Sequence, residues 1–509
     1  MRKDPQGRPR KKKSQKHDPT PETADEFLAV GVDFEEAGEK WRAGDAVKST
    51  RFFRRAIDNY DEALRRFPDS FDVAYNKARV QFQITQYPKL AAQMSAPHVD
   101  LLRAALQTHR EALRLKQENA DVLFNTAQVL TSLAESLLER RLDPEKRAEA
   151  LTLLQEAVEL FQSCLLIQEY EFSEAQAQRN EAATSLDTPM AEDATPGEVT
   201  PEHGGPSVES DQWASILEPV TTETLLDACL AQLETLRTIC GLVAVDSNSI
   251  LGWVEEYTND TLDSRITAYA QGRDDRSREV ALARANFVSA LSEAKYRSGR
   301  INLPSYQTDL ARAISREVDL HDDPEALCAR ADAFMSLASA VADSPVQETA
   351  AGSGDQHEVQ RVRWKYLTWA LDDLTAASRL PSAQHVAKIH LSRGDVEMLR
   401  FQLGNAPSPF EPARNSRDTL LQNAEVFYRG AAGFASRTTD SADEEREARV
   451  KEAVAASLRG DGAPFTRLMA PPWGVDPDAH QVITDAQEEG VIPNDWEMIA
   501  GVGRPSSSS

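Results

Sequence analysis

A helix hairpin written into residues 34–68, FEEAGEKWRAGDAVKSTRFFRRAIDNYDEALRRFP, constrains this chain more than any other stretch. Two amphipathic segments flank a Gly44-Asp45 turn. The first segment carries a small residue, Gly38, and a large aromatic, Trp41. The second carries Phe53, Ala56 and Ala63 before a stop at Pro68. Small and large residues at this spacing let two antiparallel helices approach closely and interlock.

The rest of the chain agrees with a helical reading. Ala, Leu, Glu, Arg and Gln dominate and no long run alternates with period two, so the expected class is all-α. A length of 509 residues is large for one core but ordinary for stacked hairpins, each burying its face on its neighbours. No stretch reads as the roughly 20 apolar residues of a membrane span, and no apolar signal core opens the chain. Cys164, Cys229, Cys240 and Cys328 lie far apart without a CxxC pair, so they read as buried small hydrophobes in a reducing compartment.

The order Gly38, Trp41, Ala56, Ala63, Pro68 resembles the tetratricopeptide repeat, which the resemblance extends to a TPR-like α-solenoid of long antiparallel helix hairpins with disordered acidic inserts. A second unit opens at Phe71 with Ala74, Ala78 and Phe82 in one stripe. It continues with Ala105, His109 and Ala112, where His109 stands at an aromatic position and reads as a packing residue. A third unit has Leu123, Ala127 and Leu130, followed by Ala157, Phe161 and Cys164. Further stripes run through Leu225–Cys240, Leu327–Phe334 and Ala370–Pro381. The expected organisation is a disordered basic tail (1–25), N-terminal repeats (26–170), a disordered acidic insert (171–211) and C-terminal repeats (212–440). Capping helices (441–500) and a disordered tail (501–509) close it, and a shorter flexible insert is expected at about 344–358.

Charge is unevenly placed. The net is −25, although residues 1–17 hold eight Lys/Arg against Asp4 alone. Arg10, Lys11, Lys12, Lys13 and Lys16 resemble a nuclear localisation signal, which implies an import receptor and a place in both nucleus and cytoplasm; a solvated basic tail carries the same residues. Residues 171–211 hold ten acids, Arg179 as the one Lys/Arg, and three Thr-Pro steps at Thr188, Thr195 and Thr200 that suit proline-directed phosphorylation. The acidic body repels nucleic acid and anionic membranes and attracts basic proteins, while acidity for solubility alone is the plain alternative.

Signs of catalysis are few. His385 and His390 sit five apart without an HExxH frame, and His321-Asp322-Asp323 marks a helix start. No phosphate loop, dinucleotide loop or nucleophile elbow is present, so the expectation is a non-enzyme without cofactor or metal. Glu35-Glu36 and Asp372-Asp373 read as solvated helix faces. By resemblance, co-chaperones of Hsp70 and Hsp90 hold acidic tails with Lys and Asn on first helices. Aligned on Gly38 and Trp41, this chain has Glu35 and Glu39 there, with Asn76 matching in the second unit, which disfavours an acidic tail. Glu35, Glu39 and Asn76 are therefore expected to line a groove for a basic client. In charge and layout the chain resembles TPR-type assembly chaperones for histones or ribosomal proteins. A neutral scaffold subunit of a larger complex is the alternative.

Overall fold

A computed structural model describes residues 21–138, 144–186, 219–243, 248–317, 322–343, 353–405, 409–437, 442–468 and 477–500. Every regular element among them is helical, and the chain falls into two compact units, residues 1–117 and 118–509. Within each unit successive antiparallel hairpins stack on one another, the all-α solenoid class that the helical periodicity predicts.

The first unit contains α1 (Ala24–Arg42), α2 (Ala46–Arg66), α3 (Phe71–Gln86), the short α4 (Pro88–Ala91) and α5 (His98–Leu115). Helix α1 starts at a capping box in which Thr23 and Glu26 satisfy each other's backbone N–H groups, and Asp45 caps α2 by accepting from the Lys48 N–H at 2.9 Å. The hairpins are α1 with α2 and α3 with α5. Phe27, Phe53, Ala56, Tyr60, Val73, Val80 and Ile84 form the core. Burying a side chain such as Phe53 contributes roughly 1.5–3 kcal/mol.

The close approach that the hairpin requires is present, with Gly38, Phe53, Ala56 and Ala63 placed as expected, but Tyr60 supplies the second ring in place of Trp41. The ring of Tyr60 lies where a Cβ on Gly31 would stand, and Phe53 would be 2.9 Å from a Cβ on Gly38. Trp41 takes no part; it is 36% exposed and lies under the Lys48 ammonium, 3.1 Å from the ring centroid. The interlock is thus built from two glycines on α1 and two aromatics on α2. His109 is fully buried, as a packing residue should be. Its Nδ1 donates to the Ala105 carbonyl at 2.9 Å, its ring meets Phe82 edge-on, and burial lowers its pKa to about 4.

The second unit begins with α6 (Ala120–Leu138), α7 (Pro144–Leu186) and α8 (Thr222–Leu242). It continues through α9 (Asn248–Tyr257), a π-helical turn (Thr258–Leu262), α10 (Asp263–Ala270), a 3-10 turn (Asp274–Arg276), α11 (Ser277–Arg297), α12 (Leu303–Glu317) and α13 (Pro324–Ala342). The remainder is α14 (Ser353–Ala377), α15 (Val386–Gln402), α16 (Glu411–Asn415), α17 (Arg417–Ala435), α18 (Ala442–Leu458), α19 (Ala463–Leu468), α20 (Pro477–Glu488) and α21 (Trp496–Ala500).

Two boundaries depart from the sequence expectation. Residues 171–186, assigned to a disordered insert, are the last turns of α7, because Glu, Gln and Ala favour helix and no proline intervenes before Pro189. Residues 353–358 likewise belong to α14 rather than to a flexible insert. Nor does the acidic segment divide the chain. Helices α7 and α8 share one core on either side of it, and the Gln232 amide donates to the Val158 carbonyl at 3.0 Å. By length and composition α7 also reaches what a membrane span needs, against the expectation from sequence. Leu154, Val158, Phe161 and Leu165 on it are buried, with Phe161 meeting Phe124 of α6 at 5.5 Å.

The close-contact device recurs near the end of the chain. Gly394 on α15 leaves space for the Tyr428 ring on α17, and the Tyr428 hydroxyl donates to Asp395 at 2.7 Å. Lys451 of α18, 3% exposed, completes the cluster with its Nζ 3.0 Å from Asp395 and 2.7 Å from Glu447. Burial opposes its charge, but these two carboxylates hold the Lys451 pKa above its usual value. The segment expected to cap the stack contributes core: Ile483, Val491, Ile492 and Trp496 join the cluster around Tyr428. Trp473 lies outside the described residues. Burial pushes the thiols of Cys164, Cys229 and Cys240 up to about 12 and Cys328 to about 11, so they are inert.

Two substitution pairs test these contacts by thermal melting of the full chain. Gly31→Ala forces the Tyr60 ring aside and is expected to cost about 1–3 kcal/mol, whereas Gly44→Ala, with no heavy atom within 4 Å, is expected to be nearly neutral. Lys451→Met leaves Asp395 buried without its cation and should cost about 3–5 kcal/mol, and adding Asp395→Asn should recover most of the loss.

Candidate interaction surface

The three groove residues expected from sequence come together; Glu35 is buried, while Glu39 and Asn76 are half-buried and held by neighbouring groups. Glu35 on α1 is 9% exposed and accepts the Tyr60 hydroxyl at 2.5 Å. Arg79 on α3 lies 3.9 Å from its other oxygen and also donates to Asn76 Oδ1 at 3.0 Å. Asn76 in turn donates to the Asp72 carbonyl of its own helix at 2.8 Å. Glu39 accepts from the Gln83 amide and pairs with Arg42 at 2.6 Å. Burial, only partly offset by the Tyr60 hydrogen bond and Arg79, raises the Glu35 pKa. A carboxylate so engaged is a strut between α1, α2 and α3, not a ligand for a partner. The expectation missed this because the tyrosine that claims Glu35 lies 25 residues away in sequence.

The same correction applies to Asp372-Asp373. Asp372 is exposed, but Asp373 is 6% exposed and holds Arg330 of α13 through a two-pronged ion pair, with Nε 2.6 Å from one oxygen. Glu397, 1% exposed, is held by Arg400 at 2.9 Å and by the Asn423 amide at 2.8 Å. Glu425 takes both prongs of Arg459, at 2.6 and 3.0 Å. Part of the chain's acidity is therefore engaged in ion pairs inside the fold.

What remains is unevenly shared. Residues 21–117 hold fifteen Lys/Arg and fifteen Asp/Glu, while residues 118–509 hold 34 against 65. The exposed acids of the second unit include a stripe on α7. This helix is about 65 Å long at 1.5 Å per residue, more than twice the length of α6. Its last buried side chain among the described residues is Gln168, and beyond it the helix overhangs its neighbours. Glu169 anchors the start of the overhang, accepting from Tyr269 at 2.6 Å and Arg265 at 2.8 Å. Along the outer face run Glu159, Leu166, Tyr170, Glu171 and Glu174, with Leu166 54% and Tyr170 62% exposed. Carboxylates interleaved with exposed apolar groups suit a cationic, partly apolar polypeptide. The signal was legible as a stretch rich in Ala, Leu, Glu and Gln without a Gly or a further Pro from Pro144 to Leu186, beside the acidic composition.

No group of three or more His, Cys, Asp or Glu with metal-holding geometry occurs among the described residues. His385 is the left-handed residue (φ 52°) that opens α15, and His390 stacks on Phe434 at 5.2 Å. His321, the basic run Arg10, Lys11, Lys12, Lys13 and Lys16, and Thr188, Thr195 and Thr200 lie outside the described residues.

The Glu35 assignment has a pH signature. A carboxyl whose folded pKa is raised contributes stability below its ordinary value of 4.5 that is lost as pH rises through the folded value. Glu35→Gln keeps an acceptor for Tyr60 and removes that loss. The melting temperature of the variant relative to the parent is expected to rise between about pH 4 and pH 7, whereas a solvated Glu35 gives a flat difference.

No family model matches the chain. Among curated proteins it is similar to the UPF0656 protein C926.02 of Schizosaccharomyces pombe (strain 972 / ATCC 24843), 27% identical over 420 residues that span 80% of this chain and 84% of that protein. Among solved structures, one similar chain is a circular tandem repeat protein with novel repeat topology and enhanced subunit contact surfaces. It is 15% identical, with a TM-score of 0.29 over 92% of this chain and 99% of that one. Another is the S. pombe nuclear import adaptor Nro1, 10% identical, with a TM-score of 0.28 over 83% of this chain and 99% of that one.

Proposed function

We propose that the protein is a non-catalytic, TPR-like scaffold that holds a basic client protein, with the acidic overhang of α7 as a principal contact. The observation that carries this reading is the charge division: 65 acids against 34 bases after residue 117, with Glu159, Glu171 and Glu174 exposed around Leu166 and Tyr170. Long-range attraction from such a field speeds capture of a Lys/Arg-rich chain, and the exposed apolar groups supply contact area once it has arrived. The acidic run continues in sequence beyond α7, with eight Asp/Glu and no Lys/Arg in residues 187–218. Phosphorylation at Thr188, Thr195 or Thr200 adds up to about two negative charges each and strengthens the same attraction. The basic run at Arg10–Lys13 with Lys16 suits the acidic pockets of an import receptor, so that the scaffold and its client would pass between cytoplasm and nucleus together.

Affinity purification of the full chain with crosslinking tests the reading. Lys/Arg-rich partners crosslinked to α7 are expected at about 0.15 M salt and are lost near 0.5 M, where the screening length falls to a few ångströms. Glu171→Lys with Glu174→Lys should lower their recovery several-fold. Partners without basic bias, or recovery indifferent to both salt and the substitutions, overturn the reading.

A further inference from the structure

The first unit carries a surface of opposite character. Helix α2 begins with Lys48, Arg51, Arg54 and Arg55, spaced so that they share one side of the helix over about 10 Å. Arg51, Arg54 and Arg55 are exposed, and no carboxylate lies within ion-pair distance of any of the four among the described residues. The second half of the same helix is different. Arg65 and Arg66 both pair with Glu62, at 2.7 and 2.9 Å, and Lys77 of α3 pairs with Asp61 at 2.7 Å. The run from Lys48 to Arg55 thus gathers four cations on one side of a helix in a chain of net charge −25.

These four side chains line a concavity of about 560 Å³ between α2 and the connection that follows α4, where Gln93 forms the opposite wall. Asp45 and Asp58 stand at its margin, two acids against four bases. Asp45 is occupied in capping α2 through the Lys48 N–H. The Lys48 ammonium is held over the Trp41 ring, and the Arg51 and Arg55 guanidinium groups lie 5.9 Å from the Phe52 ring, so three of the cations are steadied by aromatics. Thr50 also lines the concavity. It is 3% exposed, and its hydroxyl has no hydrogen-bond partner among the described residues, an unmet polar group at the same place. Val47, 64% exposed, adds an apolar edge.

We propose that the Lys48–Arg55 edge of α2 docks a carboxylate-rich segment of a partner protein. Guanidinium groups take carboxylates two-pronged, and carboxylates at alternate positions of an extended segment recur about every 7 Å, so two or three fit along this edge. A peptide fits better than a nucleic acid. The concavity, about 560 Å³, admits a few side chains and not the length of a polyanionic strand. A short acidic segment is governed by the charges within a screening length of about 8 Å. This surface is distinct from α7, uses the opposite charge, and stands whether or not a basic client exists.

The test is fluorescence anisotropy with the full chain and three labelled probes: a peptide of about ten residues with Glu at alternate positions, its Lys counterpart, and a single-stranded oligonucleotide of equal negative charge. The Glu peptide is expected to bind at about 0.05 M salt and to weaken steeply toward 0.5 M. Arg51→Glu/Arg54→Glu/Arg55→Glu, all exposed positions whose change should leave helix content by circular dichroism intact, is expected to weaken it at least about tenfold, or about 1.4 kcal/mol. Glu171→Lys/Glu174→Lys should leave it unchanged. Binding of the Lys peptide reports on the acidic face and not on this one. Absence of Glu-peptide binding, tighter binding of the oligonucleotide, or a triple variant that binds as the parent does would each overturn the proposal.

Discussion

Where two helices of a hairpin must touch backbone to ring, one of them has to give up a side chain, and both units of this protein meet that requirement in the same way. Gly31 faces Tyr60 in the first and Gly394 faces Tyr428 in the second. Pushing a tyrosine ring so deep carries its hydroxyl into the interior, where it needs an acceptor. In each case a carboxylate on the glycine-bearing helix supplies it, Glu35 for Tyr60 and Asp395 for Tyr428. A buried carboxylate then needs a cation from the next helix along, which Arg79 and Lys451 provide. One steric choice thus sets a chain of polar consequences across three helices. That chain fixes their register in a way that apolar contact alone does not.

The fold was largely legible because helical periodicity is local. Stripes such as Ala74-Ala78-Phe82 and Leu225–Cys240 place the elements to within a few residues, and the turn at Gly44-Asp45 stands where the sequence puts it. The polar partners were not legible. Glu35 beside Glu36 looks like any solvated pair, and only the fold brings Tyr60 to one and water to the other. Asp373 beside Asp372 repeats the case with Arg330. Trp41 misled for the converse reason. Size and position recommended it for the core, but Phe53 and Tyr60 had already filled the space against α1. The end of α7 is hard to see in the sequence because acidic composition points to absence of order, while Glu and Ala are also good helix formers.

Charge is organised by destination as well as by amount. Arg330 and Arg459 each meet an interior or near-interior carboxylate of another helix, so some of the acidic residues act as fasteners between helices. A count of acids therefore overstates the field that a partner meets. The unit formed by residues 1–117 carries equal numbers of acids and bases from residue 21 onward; four of its cations are gathered near the start of α2, and Glu35 is the one acid buried among its described residues.

The overhang of α7 has a mechanical meaning. An isolated helix of some eighteen residues is marginal in water because its first turn is costly to nucleate. Here nucleation is supplied by the buried half of the same helix, from Ala150 to Gln168, and the exposed turns are added by elongation alone. A polypeptide arriving at Tyr170 or Glu174 thus meets a stiff rod whose ordering cost has been met during folding. Its side chains already stand in fixed array, so the entropy lost on contact falls chiefly on the visitor.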